Sequence, residues 1–190
     1  MAGVIKAIEV ERLSTEYSVR KLTEADIPTI LNLYRGNPDY FVHCPPAAST
    51  ESVCEDMTAL PPGKSKGDKY FVDFFKGCEL IAVMDLIAQY PDKETAFIGL
   101  LMVDEKFQHA GVGTAILSDS LRCLQDAGYT RIQLGYVKSN QKARAFWFKN
   151  GFHPSGLEQR QALYTVVSME KYLVQAVGFQ TCRSYMEVKK

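Results

Sequence analysis

The sequence contains neither a long apolar run nor an excess of charge of one sign. Although 46% of its 190 residues are hydrophobic, no stretch approaches the roughly 18 consecutive apolar residues of a membrane-spanning helix. The 22 basic residues are balanced by 22 acidic ones, so the basic excess typical of nucleic-acid-binding proteins is missing. Charged side chains interrupt residues 1–13, where a secretory signal would need about 7–15 apolar residues. We therefore expect a cytoplasmic protein that binds neither nucleic acid nor membranes.

Paired cysteines and clustered metal ligands are also missing. The cysteines are odd in number, widely spaced and without a C-x-x-C pair. They are Cys44, Cys54, Cys78, Cys123 and Cys182. The three histidines form no H-E-x-x-H motif with a neighbouring carboxylate. This pattern predicts reduced thiols and no metal site.

Short apolar patterns predict a mixture of helices and strands. Strands are predicted at residues 17–22, 70–75, 80–88, 96–103, 131–137 and 164–169. Helices are predicted at residues 27–34, 50–60, 113–127 and 140–150, and the three prolines of residues 37–49 indicate a loop. An antiparallel meander followed by a strand–helix–strand unit indicates an α/β (α+β) fold, with a mixed, mostly antiparallel twisted sheet and helices on both faces.

The length of the chain favours one domain, since domains usually contain roughly 100–200 residues. We predict a single domain over residues 1–190, with a core at about residues 17–171. Residues 172–190 are a C-terminal extension that includes Leu173, Val177 and Phe179. This extension could complete the sheet, pair with a second copy in a homodimer, or cover a sheet edge.

One glycine-containing segment follows a predicted strand and opens a predicted helix. It reads Gln108-His109-Ala110-Gly111-Val112-Gly113-Thr114. Its two glycines allow a ligand to approach the backbone closely. The free N–H groups and the dipole of a helix N-terminus attract an anion. The segment therefore predicts a site for a phosphate or pyrophosphate.

Two common phosphate-binding motifs do not match this segment. A Rossmann fingerprint, G-x-G-x-x-G/A, fails because Ile116 occupies its last position and Gln133, about 20 residues on, is not acidic. A P-loop fails because no lysine follows either glycine. Taken alone, the segment could also be a strand-to-helix turn that binds no ligand.

Two motifs together resemble the GNAT superfamily of acetyl-CoA-dependent N-acetyltransferases. Residues 108–113 resemble the family's pyrophosphate loop, Q/R-x-x-G-x-G/A. Residues 140–152 resemble its downstream segment, N-x-x-A-x-x-F-Y-x-K-x-G-F. The resemblance is close over roughly residues 96–153 and implies the GNAT fold with acetyl-CoA as co-substrate.

The resemblance also implies the cofactor-binding residues. The backbone of Leu101, Met102 and Val103 would pair with the pantetheine arm, and one of these N–H groups would polarise the thioester carbonyl. The backbone of residues 108–114 would bind the pyrophosphate. The cofactor channel would be contacted by Asn140, Ala143, Phe146 and Trp147. Asn140 could also cap the following helix.

The sequence departs from the family pattern at two usual catalytic positions. Trp147 replaces a tyrosine whose phenol protonates the departing thiolate in many relatives, and an indole N–H cannot supply that proton. Gly135 replaces a glutamate that some relatives use as a base. Our catalytic candidates are Tyr136, which could instead be a half-buried strand aromatic, and Asp85. An aspartate within an apolar run must be buried and paired or must face a cleft.

The resemblance implies transfer of an acetyl group to a primary amine by direct attack in a ternary complex. We expect residues 36–67 and the hairpin around Tyr90 to bind the acceptor; the alternative is a surface loop held by Pro45 and Pro46. Their candidate side chains are Asp39, Tyr40, Phe41, His43 and Tyr90. A small-molecule acceptor is the first hypothesis, and a peptide or protein acceptor is the second. A closed pocket at residues 36–67 would favour the former and an open groove the latter. A third hypothesis is a CoA-binding regulatory module without catalysis.

Overall fold

A seven-stranded sheet organises residues 5–173, the part of the chain that the computed structural model describes. Its strands are β1 (Ser18–Lys21), β2 (Lys69–Lys76), β3 (Glu79–Ile87), β4 (Thr95–Val103), β5 (Arg131–Val137), β6 (His153–Arg160) and β7 (Thr165–Tyr172). The strand order is β1-β2-β3-β4-β5-β7-β6. The β4–β5 pair is parallel, and the other neighbouring pairs are antiparallel. The predicted mixed, mostly antiparallel sheet is confirmed.

Helices cover both faces of the sheet. They are α1 (Ile27–Arg35), α2 (Pro38–His43), α3 (Thr50–Thr58), α4 (Val112–Asp126) and α5 (Gln141–Lys149). Successive side chains of a strand point to opposite faces, so Val83 of β3 packs with α1 and α3 while Met84 packs with α4. The two resulting apolar cores hold the sheet between helical layers, as predicted.

Local sequence determines where several helices begin and end. Ser49 accepts a hydrogen bond from the Ser52 N–H at 3.2 Å and caps α3. Gly128 and Gly151, which follow α4 and α5, have φ angles of 101° and 81°. Glycine adopts this left-handed conformation without steric cost, so both helices end where the sequence predicts.

Two elements differ from the prediction. The predicted loop at residues 37–49 contains α2, because Pro38 occupies the first helical turn, where its missing N–H leaves no unmade bond. The pattern predicts no strand at residues 153–160, yet β6 lies there at the sheet edge. Edge strands tolerate residues such as Pro154, and the exposed side chains of β6 show no apolar alternation.

Leu173 marks the end of the described chain. Its side chain is buried, and its N–H donates to the Thr130 carbonyl at 2.8 Å. The predictions for Val177 and Phe179 lie outside the described residues. Within residues 5–173, no helix is long and apolar enough to cross a membrane, and no cluster of three or more potential metal ligands occurs.

Candidate active site

A cleft opens where β4 and β5 separate. The two strands pair from Thr95 opposite Arg131 to Ile98 opposite Leu134. Beyond this point β5 pairs with β7 on its other side, while residues 99–103 of β4 have no β5 partner in the described register. The β4 backbone groups that point away from β3 can therefore pair with an extended ligand, except the Val103 carbonyl, which accepts from Gln108 Nε2 at 2.9 Å. The opening is a cavity of about 110 Å³.

The cleft brings together many of the predicted site residues. Its lining includes Leu101, Tyr136, Asn140, Ala143 and Trp147, which sequence reasoning placed beside the cofactor or the reacting centre. From the acceptor segment, Tyr40 and His43 also line it.

Other predicted residues lie outside this lining. The Met102 side chain is buried in the core beneath α1 and α3 and does not line the cleft. Phe41 packs against the Tyr34 ring, with a centroid distance of 5.5 Å. Tyr90 lies beyond the end of β3 and packs against Phe97 at 5.7 Å.

A β-bulge at Gly99 shapes the wall of the cleft. Asp85 pairs with Leu100 and Leu86 with Ile98, so Gly99 is the extra residue of β4. A Cβ atom added to Gly99 would lie 2.5 Å from the Asp85 carboxylate. The missing side chain therefore leaves the space that Asp85 occupies. An isolated glycine in a strand indicates such a bulge, and this feature of the sequence could have located it.

Asp85 is a buried carboxylate with one oxygen unpaired. Its Oδ2 accepts a hydrogen bond from Lys69 Nζ at 2.8 Å, and Lys69 also donates to the Ala59 carbonyl at 3.0 Å. Among the described residues, Oδ1 has no hydrogen-bond partner. Burial raises the pKa of Asp85 to about 6, although the Lys69 ammonium opposes this shift. Asp85 is thus mostly ionised at neutral pH. Its unpaired Oδ1 is buried, and the carboxylate lies next to Gly99 of the cleft lining, although Asp85 itself does not line the cleft.

The phenols of Tyr34, Tyr40 and Tyr164 have raised pKa values, and of these residues only Tyr40 lines the cleft. Tyr34 donates to the Asp56 carboxylate at 2.7 Å, and burial and this carboxylate raise the pKa of Tyr34. Burial likewise raises the pKa of Tyr40. A hydrogen bond with the Cys44 thiol raises the pKa of Tyr164 to about 12. These groups remain protonated at neutral pH and cannot act as the base.

The loop before α4 has the geometry of an anion site. Gly111 has a φ angle of 83° and His109 one of 61°, and no side chain caps α4. The first N–H groups of α4 therefore remain available to a ligand. Gly113 serves packing, since a Cβ there would lie 3.3 Å from Phe146 and 3.4 Å from Val103. This bare helix start next to an unpaired strand edge fits a pyrophosphate attached to an extended arm.

The departures from the family pattern have structural explanations. Gly135 has no room for a side chain, because a Cβ there would lie 2.7 Å from Val166 Cγ1. Trp147 is buried between Phe146 and Phe152, at ring distances of 4.9 Å and 5.3 Å. Asn140 caps α5 by accepting from the Ala143 N–H at 2.9 Å and also lines the cleft, so its two predicted roles are compatible.

Solved structures of acetyltransferases share this fold. An acetyltransferase from Thermus thermophilus is 24% identical, with a TM-score of 0.67 over 82% of this chain and 96% of that one. The PaiA N-acetyltransferase from Thermoplasma acidophilum, solved with coenzyme A, is 20% identical, with a TM-score of 0.60 over 82% and 98%. A ribosomal-protein-alanine N-acetyltransferase from Brucella melitensis is 15% identical, with a TM-score of 0.58 over 82% and 99%.

The sequence comparison identifies the family. No curated protein sequence matches the chain. The sequence profile of the Acetyltransferase (GNAT) family matches residues 31–152, which is more than half of the chain. The chain therefore belongs to the GNAT acetyltransferase family and is an acyltransferase that uses acetyl-CoA as its co-substrate.

Proposed function

We propose that this enzyme acetylates a primary amine of a small molecule by direct attack in a ternary complex, with Asp85 as the general base. The observation that carries the proposal is the unpaired Oδ1 of Asp85 beside the bulge where β4 and β5 separate. An amine attacks a thioester only when it is neutral, and a carboxylate within reach, directly or through one water, can remove its proton.

The other parts of the site position the acetyl donor. The free N–H groups at the start of α4 bind the pyrophosphate, and the β4 edge at Leu101, Met102 and Val103 pairs with the pantetheine arm. One N–H of this edge donates to the thioester carbonyl oxygen. Tyr136, buried and lining the cleft, is our candidate to donate a hydrogen bond to the sulfur. Because a free thiol has a pKa of about 8.5, the thiolate leaves without a strong acid.

The closed shape of the cleft supports a small acceptor. Two contacts tie α2 to the start of α5 across the opening: His43 Nδ1 lies 2.9 Å from Ser139 Oγ, and Asp39 forms an ion pair with Lys142. A small closed pocket favours a metabolite over a peptide.

A panel of acceptors tests this substrate class. We expect the enzyme to release CoA thiol with at least one small primary amine, such as a diamine, an amino acid or an amino sugar. Short peptides with free N-termini or lysine side chains should react more slowly at equal concentration. Faster turnover of the peptides would contradict the proposal, and acetyl-CoA binding without turnover of any amine would favour the regulatory alternative.

The cytoplasmic location stays a prediction.

A glycine pair tests the pyrophosphate loop. Gly111 and Gly63 have φ angles of 83° and 80°, and a Cβ at either would contact no other atom within 4 Å. Alanine at either position should cost a similar free energy of unfolding, about 1 kcal/mol. Only Gly111→Ala should weaken acetyl-CoA binding, by about tenfold or more, because it distorts and crowds the phosphate site. Calorimetric titration measures both affinities. Equal affinities for the two variants would show that the loop does not contact the cofactor.

A further inference from the structure

The side chain of Gln108 connects the pyrophosphate loop to the acceptor segment. Its Nε2 donates to the Val103 carbonyl at 2.9 Å and to Asn37 Oδ1 at 2.6 Å. Gln108 and Asn37 are 71 residues apart in the sequence. Gln108 is therefore bonded to the end of β4 and to the segment before α2.

Asn37 joins three structural elements through one buried residue. Its Nδ2 donates to the Leu33 carbonyl near the end of α1, at 2.8 Å. Its own carbonyl accepts from the Tyr40 N–H in α2, at 3.1 Å. Its Oδ1 receives the bond from Gln108, and the residue is only 8% exposed. Replacing its amide would remove the buried hydrogen bond to the Leu33 carbonyl of α1, which is costly, and the bond from Gln108.

The six-residue helix α2 depends on such anchors for its position. An isolated helix of this length is unstable in water, so tertiary contacts must hold it. Its anchors include Asn37 at the start and the contacts of Asp39 and His43 with Lys142 and Ser139. Through these contacts, α2 is bonded to the pyrophosphate loop and to the residues on either side of Asn140. Both belong to the proposed acetyl-CoA site.

We propose that Asn37 is a positioning residue that transmits acetyl-CoA binding from Gln108 to α2 and so orders the acceptor side of the cleft. This inference rests on the proposed acetyl-CoA-binding role of the loop. A phosphate bound to the loop restricts the motion of Gln108, and Gln108 then restricts Asn37. Because α2 carries Tyr40 and His43 into the cleft, fixing Asn37 reduces the conformational freedom that the acceptor must otherwise remove.

Hydrogen–deuterium exchange of the full-length protein with and without acetyl-CoA tests the coupling. In the unmodified protein, acetyl-CoA should slow exchange in residues 108–114 and also in residues 38–44. In Asn37→Ala, the slowing in residues 108–114 should persist, while that in residues 38–44 should fall by about fivefold or more. Asn37→Asp keeps an oxygen that can accept from Gln108 but loses the amide that donates to Leu33, so it should restore part of the slowing. Asn32→Ala, an exposed position on α1, is the matched control and should behave like the unmodified protein.

The outcomes separate this inference from the proposed function. If residues 108–114 are not slowed even in the unmodified protein, the loop does not bind acetyl-CoA and both proposals fail. If acetyl-CoA slows exchange in residues 108–114 but not in residues 38–44, only the coupling fails. The same holds if exchange in residues 38–44 slows equally in the unmodified protein and in Asn37→Ala. Kinetics provide a second readout with an amine from the panel. Asn37→Ala should raise the acceptor KM more than it lowers kcat, whereas an equal loss of activity through kcat alone would contradict a positioning role.

Discussion

Replacing Asp85 with asparagine should lower kcat by about 10²–10⁴-fold, the usual contribution of a general base. The variant keeps the shape of the side chain and an oxygen that can accept from Lys69, but it cannot take a proton from the amine. The affinity for acetyl-CoA should stay within about twofold, because Asp85 lies away from the pyrophosphate loop. Steady-state kinetics and calorimetry measure the two effects separately.

Asp73→Asn is the matched control for this variant. Asp73 is also a buried strand aspartate, and burial raises its pKa to about 6 although the nearby Arg20 guanidinium opposes the shift. It lies on β2, on the same side of the sheet as Asp85 but away from the cleft, and accepts from the Arg20 backbone N–H at 3.3 Å. Asp73→Asn should leave kcat nearly unchanged. Equal losses in both variants would assign the effect of Asp85 to folding instead of catalysis.

Replacing Lys69 with methionine should destabilise the protein and raise the pKa of Asp85 further above 6. Lys69 is buried, and its ammonium is the cation bonded to Asp85. Removing one partner of a buried ion pair typically costs about 3–5 kcal/mol while the other stays charged. The folded state then binds the Asp85 proton more tightly than the unfolded state does, so stability falls as pH rises from about 4 to the new pKa. Denaturation at pH 5 and pH 8 should therefore show the larger loss at pH 8.

Lys76→Met provides the comparison on the same strand. Lys76 lies at the other end of β2 and forms an exposed ion pair with Glu16 at 3.2 Å. Exposed pairs contribute less than about 1 kcal/mol, and this variant should show no marked pH dependence. A Lys69→Met protein with equal losses at pH 5 and pH 8 would contradict the account of Asp85 as a carboxylate held ionised by Lys69.

The sequence predicted what depends on short-range patterns. The loop at residues 108–114, the N-cap Asn140 and the end of α4 at Gly128 follow from residue types at fixed spacing. The GNAT resemblance likewise depends on two local motifs, and the family profile confirms it. Even the candidate Asp85 was visible as the one charge within an apolar run.

The sequence could not show which distant residues meet. Lys69 reaches Asp85 because β2 and β3 pair with Lys69 opposite Ile87, a register that no local pattern reveals. The contact between Gln108 and Asn37 depends in the same way on the packing of α1 against the sheet. The short helix α2 was missed because Pro38, with Pro45 and Pro46 just after the helix, favours a loop in isolation, and tertiary contacts decide otherwise.

The central claim is that the Asp85 carboxylate takes the proton of the acceptor amine, and the pH dependence of kcat/KM tests it most directly. Ionisation of the acceptor amine adds its own slope to the plot of log(kcat/KM) against pH. The informative feature is therefore a change of this slope by one near pH 6, where the pKa of Asp85 lies. We predict this break in the unmodified enzyme and in Asp73→Asn, and its loss in Asp85→Asn. A break that persists in Asp85→Asn, or that disappears in Asp73→Asn, would contradict the account.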